Sequence, residues 1–327
     1  MALIARIVPG GHLTVVPRER PVPVPTGHDL VVRVDAMGLN PVDLKRAAAE
    51  PAGVVPGFDA TGQVVGRGPN AGSFDLGDRV FYAGTLDRDG AAQPHHLVDE
   101  RLCGRAPRGW SAVDTAGLPL TMITAWEALH DQLRWESSTR GTLLMVGGAG
   151  GVGTAVIQLA RATLPHVRVI ATAARRESSA WARRFGAHDI VDHASALAPQ
   201  VRRIAPKGVD AVISTASRGR VDDLAACLAP FGHVVGVDRG PIDVTPLKPL
   251  SGTWHWVFMF TKAVPDWNGP GTPHAEILAR VAALAETGAL RSPTRHVYPR
   301  LSPDTLAAAL TRVGAGHGVG KTVIRGS

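Results

Sequence analysis

The chain has 327 residues, enough for one large domain or two of ordinary size, and 45% of them are apolar while 19% are charged. This composition is typical of a globular protein with a substantial core, and no apolar run reaches the roughly 18–20 residues that a membrane span needs. The formal charge of +7 comes from scattered basic residues without a run of five like charges, so we expect neither a membrane protein nor a nucleic-acid binder.

Two further features concern the cellular compartment. The N-terminus, MALIARIVPGGHL, lacks the cationic start and the long apolar stretch of a signal peptide, so we expect a cytoplasmic protein. The two cysteines, Cys103 and Cys227, are far apart and cannot form a structural zinc site by themselves. We expect two free thiols.

Residues 1–120 have the pattern of a β-rich domain. Short apolar runs alternate with glycine and proline, which indicates a small barrel or sandwich. The runs are Leu30–Val34, Gly62–Val65, Arg79–Tyr82 and Leu97–Val98.

From Pro119 onwards, predicted helices and strands alternate, which favours a parallel sheet with right-handed crossovers. The predicted helices are Thr121–Leu133, Val152–Ala162, Glu177–Phe185 and Val221–Leu228; the predicted strands are Thr142–Val146, Val167–Ala171, Ile190–Val191, Val209–Ser214 and Gly232–Val237.

The last part of the chain contains two amphipathic helices, His274–Glu286 and Ser302–Val313, the second with Ser302 and Pro303 as start signals. The final strand, Lys321–Ile324, needs a partner, so we expect it to return to the N-terminal domain. The predicted fold class is α/β: a doubly wound parallel sheet in residues 121–259, and a β-rich domain of residues 1–120 completed by 260–327.

The strongest motif follows the first strand of the alternating region. Leu143–Gly153 reads LLMVGGAGGVG, in which Gly148, Gly150 and Gly153 form G-x-G-x-x-G between a strand and a helix, as in dinucleotide-binding folds. Gly148 is expected to allow the tight turn, Gly150 the approach of a pyrophosphate, and Gly153 the packing of helix on strand. The predicted phosphate contacts are Gly148, Ala149, Gly150, Gly151, Val152 and Gly153.

The end of the next strand indicates which nucleotide binds. NAD-binding sites place an acid there for the ribose 2′-hydroxyl, whereas Thr172–Ala174 contains none and Arg175 and Arg176 follow at once. A guanidinium binds a 2′-phosphate through forked hydrogen bonds, so we expect NADPH, with Arg175 as the main ligand. Alternatively, both arginines simply begin a solvated helix.

A catalytic metal is not expected. The N-terminal half offers His12, His28, His95, His96, Cys103, Asp43 and Asp59, but none lies in a ligand-dense motif. Metal-free chemistry is therefore favoured.

Several strings along nearly the whole chain carry a family resemblance. They are Asn40-Pro41-Val42-Asp43, Pro56-Gly57-Phe58-Asp59, Gly77-Asp78-Arg79-Val80, Pro119-Leu120-Thr121, Thr124-Ala125-Trp126-Glu127, and His255-Trp256 followed by Met259-Phe260. In this order, with the glycine loop, they resemble the medium-chain dehydrogenase/reductase superfamily, in particular its zinc-free quinone oxidoreductase-like branch of "zinc-type alcohol dehydrogenase-like" proteins.

The resemblance implies a GroES-like catalytic domain, a Rossmann domain that binds NADPH, and a homodimer. It implies that Asn40 and Thr124 line the nicotinamide end of the site, that Phe258, Met259 and Phe260 pass near the nicotinamide, and that Lys321 closes the cofactor site. Zinc-dependent relatives carry their ligands at positions that match the Gly38–Asn40 region, Phe58-Asp59 and Leu120. The segment Ala91–His95 departs from the family pattern, which leaves the substrate open.

Three residues are the candidates for catalysis. Asn40 is a plausible amide donor to a developing oxyanion, with a turn residue before Pro41 as the alternative. Tyr82 could donate or relay a proton, or be an ordinary strand aromatic. His255 could act as an acid, or pack in the core or in an interface beside Trp254 and Trp256.

Nearby groups have plain structural interpretations. Asp43 and Lys45 could pair across a loop or face solvent, Asp59 could hold a loop, and the aromatic group of residues 254–260 could be core or a dimer contact.

The predicted function is the NADPH-dependent, metal-free reduction of an activated double bond or a quinone. The small-molecule substrate would be a carbonyl compound or a quinone. A metal-free carbonyl reductase or alcohol dehydrogenase, and an NADPH-binding protein without turnover, are the alternatives.

Overall fold

The computed structural model describes residues 1–8, 10–264 and 267–326. Its strands in chain order are β1 (Ala2–Val8), β2 (His12–Arg18), β3 (Asp29–Leu39), β4 (Asp59–Arg67), β5 (Arg79–Ala83), β6 (His95–Asp99), β7 (Cys103–Arg105), β8 (Gly141–Val146), β9 (Val167–Thr172), β10 (Asp189–Val191), β11 (Val209–Ser214), β12 (Leu228–Gly236), β13 (Thr253–Trp256), β14 (Thr294–Tyr298) and β15 (Lys321–Arg325).

The α-helices are α1 (Pro41–Ala49), α2 (Ala112–Thr115), α3 (Pro119–Trp126), α4 (Gly151–Thr163), α5 (Arg176–Arg184), α6 (Leu197–Ile204), α7 (Val221–Cys227), α8 (His274–Glu286) and α9 (Pro303–Gly314). A π-helical turn, Glu127–Gln132, follows α3, and short 3₁₀ turns cover Glu100–Leu102, Thr245–Leu250 and Met259–Lys262.

The chain divides into two compact units. Unit 1 comprises residues 1–123, 260–288 and 292–327, and unit 2 comprises residues 124–259 and 289–291. These boundaries differ from the predicted domains by three residues near position 120 and by the short segment 289–291.

Unit 2 contains a doubly wound parallel sheet. Within the described residues its strand order is β10-β9-β8-β11-β12-β13, and neighbouring strands are parallel throughout. This is the order of a dinucleotide-binding sheet, with β8 and β11 at the point where the direction of winding reverses. The strands are nearly continuous apolar runs because helices cover both faces of such a sheet. The predicted fold class is confirmed.

Unit 1 contains a mostly antiparallel sheet. In the described part of the chain its order is β14-β15-β3-β4-β5-β7, with β6 also paired to β3. The long strand β3 is the centre of the sheet, and β15 pairs with it in the register Thr322↔Leu39. The expectation that the C-terminal strand returns to the N-terminal domain is confirmed.

Several elements differ from the sequence-based assignment. Helices α1 and α2 lie in the part expected to be β-rich, and α6, β13 and β14 were not predicted. Helix α3 ends at Trp126 before the π-helical turn, and β12 begins at Leu228, earlier than predicted. Helix α1 did have start signals, because Asn40 is its N-cap and Pro41 its first residue. Asn40 therefore starts a helix and not merely a turn.

Within the described ranges, no helix is both long enough and apolar enough to cross a bilayer.

The start of α9 gives a test of local stability. The Ser302 hydroxyl accepts a hydrogen bond from the Thr305 N–H at 3.2 Å and so caps the helix. We expect Ser302→Ala to lower the free energy of unfolding by about 1 kcal/mol, measured by urea denaturation. Ser195→Ala, at an exposed turn position, is the control and should change it by less than about 0.5 kcal/mol. Equal losses for the two variants would contradict the capping role.

Candidate functional site

The glycine loop connects β8 to α4 in unit 2. Gly147 adopts a φ of +87°, and a Cβ there would lie 2.4 Å from Thr215 Oγ1. Gly147, one residue earlier than predicted, therefore makes the tight turn, and the assignment of that turn to Gly148 was wrong. Gly148 is needed for a different reason, because a Cβ there would lie 2.7 Å from the Cβ of Ala171 on β9.

The other two fingerprint glycines occupy the expected environments. A Cβ on Gly153 would lie 2.2 Å from the Gly147 carbonyl oxygen, so only glycine lets α4 pack this closely against the loop. A Cβ on Gly150 would meet only the Gly147 carbonyl oxygen, at 3.5 Å, which leaves the space in front of this residue open. The loop backbone can therefore be approached at Gly150.

The first turn of α4 has the properties of an anion site. Gly150 is the N-cap, and no side chain among the described residues caps this helix. The N–H groups of Gly151, Val152 and Gly153 are the first of the helix and lack carbonyl partners within it, so they can bind a phosphate. The Thr172 hydroxyl at the end of β9 accepts the Gly147 N–H at 3.0 Å and holds the loop from the other side.

The residues after β9 are the ones that would meet an adenosine ribose. Ala173 is buried, and Ala174, Arg175 and Arg176 are exposed at the start of α5. The Arg175 N–H donates to Ser178 Oγ at 3.2 Å, which fixes the backbone from which the Arg175 side chain projects. This edge therefore carries two guanidinium groups and no carboxylate between Thr172 and Arg176.

A buried polar network lies in unit 1 around Lys321. The ammonium donates to Asn40 Oδ1 at 2.6 Å, to Asp59 Oδ2 at 2.8 Å and to the Leu39 carbonyl oxygen at 3.1 Å. Asn40 Nδ2 donates to Asp59 Oδ2 at 2.9 Å, and the Leu120 N–H donates to Asp59 Oδ1 at 2.6 Å. All three polar side chains are at most 3% exposed.

Sheet register explains why these residues meet. Asp59 begins β4 opposite Gly38 on β3, and Asn40 follows β3 directly. Lys321 precedes Thr322, which pairs with Leu39, so the lysine lies beside Asn40. Three segments far apart in sequence are thus joined at one end of the sheet. No local sequence signal indicates the Lys321–Asp59 ion pair, because the partners are 262 residues apart.

Asp43, on helix α1, binds the backbone next to this polar network. Its carboxylate accepts the Asn40 N–H at 2.8 Å and the Gly57 N–H at 2.7 Å, and it is fully buried. Burial raises the pKa of Asp43 to about 6, although these two backbone hydrogen bonds act in the opposite direction. Lys45 is exposed. The predicted alternatives for Asp43, a surface pair or a solvated position, were wrong because the helix turns this side chain inward.

Tyr82 is fully buried in unit 1 and paired with a histidine. Its hydroxyl lies 3.0 Å from His96 Nδ1, and His96 Nε2 lies 2.8 Å from the Asp89 carbonyl oxygen. A carbonyl oxygen only accepts, so Nε2 carries the proton and Nδ1 accepts the tyrosine O–H. Burial raises the pKa of Tyr82 well above its ordinary value and lowers that of His96 to about 4. The pair is therefore neutral. Its catalytic role stays a prediction.

His255 lies on the edge strand β13, with Nε2 3.0 Å from Nδ1 of His233 on β12. Burial chiefly, and then the neighbouring His233, lower the pKa of His255. The neutral form can donate to its partner or accept from it. Its role as an acid stays a prediction.

The remaining predicted cofactor residues differ in exposure. Thr124 and Met259 are buried, whereas Phe258 is 55% exposed. The ring of Phe260 packs against Phe58 with centroids 4.8 Å apart. Their contacts with a cofactor stay predictions, as does that of Lys321.

Comparison with known proteins identifies the family. The family model described as "Alcohol dehydrogenase GroES-like domain" matches residues 26–126, and "Zinc-binding dehydrogenase" matches residues 151–253. A zinc-type alcohol dehydrogenase-like protein of Staphylococcus aureus (strain MRSA252) is 32% identical over 315 residues, 94% of this chain and 93% of that protein.

Two further comparisons extend this. The human quinone oxidoreductase is 27% identical over 240 residues, 70% of each chain. The crystal structure of a Rhizobium etli CFN 42 protein, described there as a candidate zinc-dependent alcohol dehydrogenase, has a TM-score of 0.91 at 34% identity and covers 100% of this chain and 98% of its own.

The fold and these similarities define an oxidoreductase. The chain belongs to the medium-chain dehydrogenase/reductase superfamily, as its sequence motifs predicted.

The neutral His96 gives a pH test. A histidine whose folded pKa is lowered to about 4 contributes stability that is present above about pH 6.5 and is lost as the pH falls towards 4. Between pH 7 and pH 5, we expect the free energy of unfolding of the unmodified protein to fall by about 2 kcal/mol more than that of His96→Gln. Urea denaturation at both pH values measures this.

The matched control for this test is His193→Gln, at an exposed position. It should show the same pH dependence as the unmodified protein. If His96→Gln also keeps that dependence, His96 is not the buried neutral group described above.

Proposed function

We propose that the chain is an NADPH-dependent, metal-free reductase that transfers hydride to an activated double bond of an α,β-unsaturated carbonyl compound or to a quinone. The observation that carries the proposal is the arrangement at the carboxyl ends of β8 and β9 in unit 2. There, an uncapped helix N-terminus at the glycine loop lies next to a strand end without an acid and with two arginines.

The loop fits a dinucleotide. Gly147, Gly148 and Gly153 have no room for a side chain, whereas Gly150 has open space in front of it. The tight fold of the loop therefore keeps side chains away from the start of α4. The backbone N–H groups of residues 151–153 can then bind the pyrophosphate.

The preference for NADPH over NADH is supported by charge. A carboxylate at the end of β9 would repel a 2′-phosphate, and the described residues 172–176 carry none. Arg175 and Arg176 supply the opposite charge at an exposed edge, and a guanidinium binds phosphate through paired hydrogen bonds.

A catalytic metal does not fit the residues at the corresponding positions. Phe58 has no donor atom, Leu120 presents a backbone N–H, and the Asp59 carboxylate is already paired with the Lys321 ammonium. A divalent cation would have to enter beside a buried positive charge, which is strongly unfavourable where the dielectric constant is low. No cluster of three metal-ligating side chains is found within the described ranges.

In such a reaction, the protein mainly orients the substrate against the cofactor and stabilises the charge that develops on the substrate. Bound NADPH supplies the hydride. The protein needs a hydrogen-bond donor for the carbonyl oxygen on which negative charge develops, and a proton source. Asn40 is the proposed donor. Tyr82 and His255 each engage a histidine partner, and for them a proton-transfer role rests on the chemistry of their side chains alone.

The human quinone oxidoreductase, at 27% identity, supports reduction of a quinone or a related acceptor. The same scaffold can serve a metal-free carbonyl reductase or alcohol dehydrogenase, which would reduce the carbonyl group itself. A protein that binds NADPH without turnover is the remaining alternative.

A homodimer is part of the proposal. Strand β13 is at the edge of the unit 2 sheet, and the large apolar side chains of Trp256 and Phe258 are 47% and 55% exposed. An open strand edge beside exposed aromatic side chains is suited to pairing with a second copy.

The cofactor assignment predicts the effect of Arg175→Ala. The loss of a charge-assisted contact should weaken NADPH binding about 10-fold or more and leave NADH binding nearly unchanged. Arg183→Ala, at an exposed position of the same helix, is the control and should leave both affinities unchanged within about twofold. Isothermal titration with both nucleotides measures this, and equal losses for NADPH and NADH in Arg175→Ala would contradict the assignment.

The activity itself is tested with purified protein, NADPH and a panel of enones, quinones and aldehydes, before and after treatment with a chelator. We expect NADPH oxidation with enones or quinones that is insensitive to the chelator. Activity lost on chelation and restored by zinc would overturn the metal-free assignment. Tight NADPH binding without turnover of any acceptor would overturn the enzymatic one.

A further inference from the structure

The two ends of the buried Asn40 carboxamide meet opposite charges. Its oxygen accepts from the Lys321 ammonium at 2.6 Å, and its nitrogen donates to the Asp59 carboxylate at 2.9 Å. Lys321 and Asp59 are themselves joined at 2.8 Å, so the three side chains form a closed triangle. Both polar atoms of the Asn40 carboxamide are therefore paired with a charged group.

The charges permit only one orientation of the amide. The oxygen and the NH₂ group of asparagine have almost the same shape, so packing hardly distinguishes the two orientations. A flipped amide would place N–H groups against the ammonium and the oxygen against the carboxylate. Two attractive contacts would become repulsive at a site where the dielectric constant is low.

In this orientation, one N–H of the Asn40 side chain has no acceptor in the network. Asn40 Nδ2 carries two hydrogens, and its hydrogen bonds within the described chain account for one of them, the bond to Asp59. An unpaired N–H on a side chain that is only 2% exposed is costly unless a ligand accepts it. The ammonium on the amide oxygen also polarises the carboxamide and strengthens its N–H donors.

We propose that Lys321 and Asp59 are positioning residues, which fix the Asn40 carboxamide so that its second N–H donates to the carbonyl oxygen of the substrate. This inference rests on the proposed reductase function, and it assigns to the charge pair the task of setting the direction of that donor. All three ammonium donors of Lys321 point to protein oxygens, so Lys321 acts through Asn40.

The competing explanation is that the ion pair only joins β15 to β3 and β4. Single substitutions do not separate the two, because the removal of one partner leaves a buried charge unpaired and destabilises the fold. The double variant Lys321→Met/Asp59→Asn removes both charges while the side-chain volumes are nearly kept. The Leu120 N–H can still find an oxygen acceptor at position 59.

A cycle of four proteins, the unmodified one and three variants, distinguishes positioning from a purely structural role. We expect Asn40→Ala to lower kcat for an enone about 10- to 100-fold, and the double variant to lower it by a similar factor. Adding Asn40→Ala to the double variant should then change kcat by less than about threefold, because the same donor is already misdirected. Fully multiplicative losses would overturn the proposal.

A second readout needs no activity. The sequence contains only three asparagines, Asn40, Asn70 and Asn268, so selective ¹⁵N labelling gives three side-chain NH₂ pairs, and Asn40→Ala identifies the relevant one. We expect a single sharp pair in the unmodified protein and a broadened or doubled pair in the double variant, as the amide samples both orientations. A sharp, unshifted pair in the folded double variant would show that the charges do not orient Asn40.

The two readouts separate this proposal from the function on which it rests. If the unmodified protein reduces no acceptor, the proposed function and the donor role of Asn40 fail together. The NMR signals then still decide whether the charge pair orients the amide. If the protein is active but the cycle is multiplicative, the reductase assignment stands and the positioning role is wrong.

Discussion

The organisation of unit 1 depends on one buried ion pair, between Lys321 at the start of the last strand and Asp59 at the start of β4. Two charges withdrawn from water are stable only if each is fully hydrogen-bonded. Here, the ammonium also donates hydrogen bonds to the Leu39 carbonyl oxygen and to the Asn40 oxygen. The carboxylate also accepts hydrogen bonds from the Leu120 N–H and from the Asn40 NH₂ group. The network therefore ties the C-terminal strand to the N-terminal domain and at the same time fixes one uncharged polar group, Asn40.

The glycine loop of unit 2 follows a different principle. Its shape is set by the exclusion of side chains, since a Cβ at Gly147, Gly148 or Gly153 would lie within 2.7 Å of another atom. What remains is a row of backbone N–H groups at a helix start, with arginines at the next strand end. The proposed function relies on both features, because a nicotinamide-dependent reductase needs an anion site for its cofactor and a hydrogen-bond donor for the developing oxyanion.

The parts of this structure that the sequence predicts are local. The alternation of helices and strands, the glycine fingerprint and the cap at Ser302 depend on residues a few positions apart. The predicted bounds agree with the structure to within a few residues, apart from the end of α3 at Trp126 and the start of β12 at Leu228. Two errors were also local: the start signals of α1 were overlooked, and the turn was assigned to Gly148 and not to Gly147. The Lys321–Asp59 pair and the Tyr82–His96 pair escaped prediction because sheet register, which a single sequence does not specify, brings their members together.

The central claim, hydride transfer from NADPH to the carbon–carbon double bond of an activated acceptor, is tested most directly by isotope labelling. NADPH that carries deuterium at both C4 positions of the nicotinamide would be incubated with the chelator-treated protein and an α,β-unsaturated ketone, and the product examined by NMR. The account predicts deuterium at the β-carbon of a saturated ketone. Deuterium on the carbinol carbon of an allylic alcohol, or no transfer at all, would contradict it.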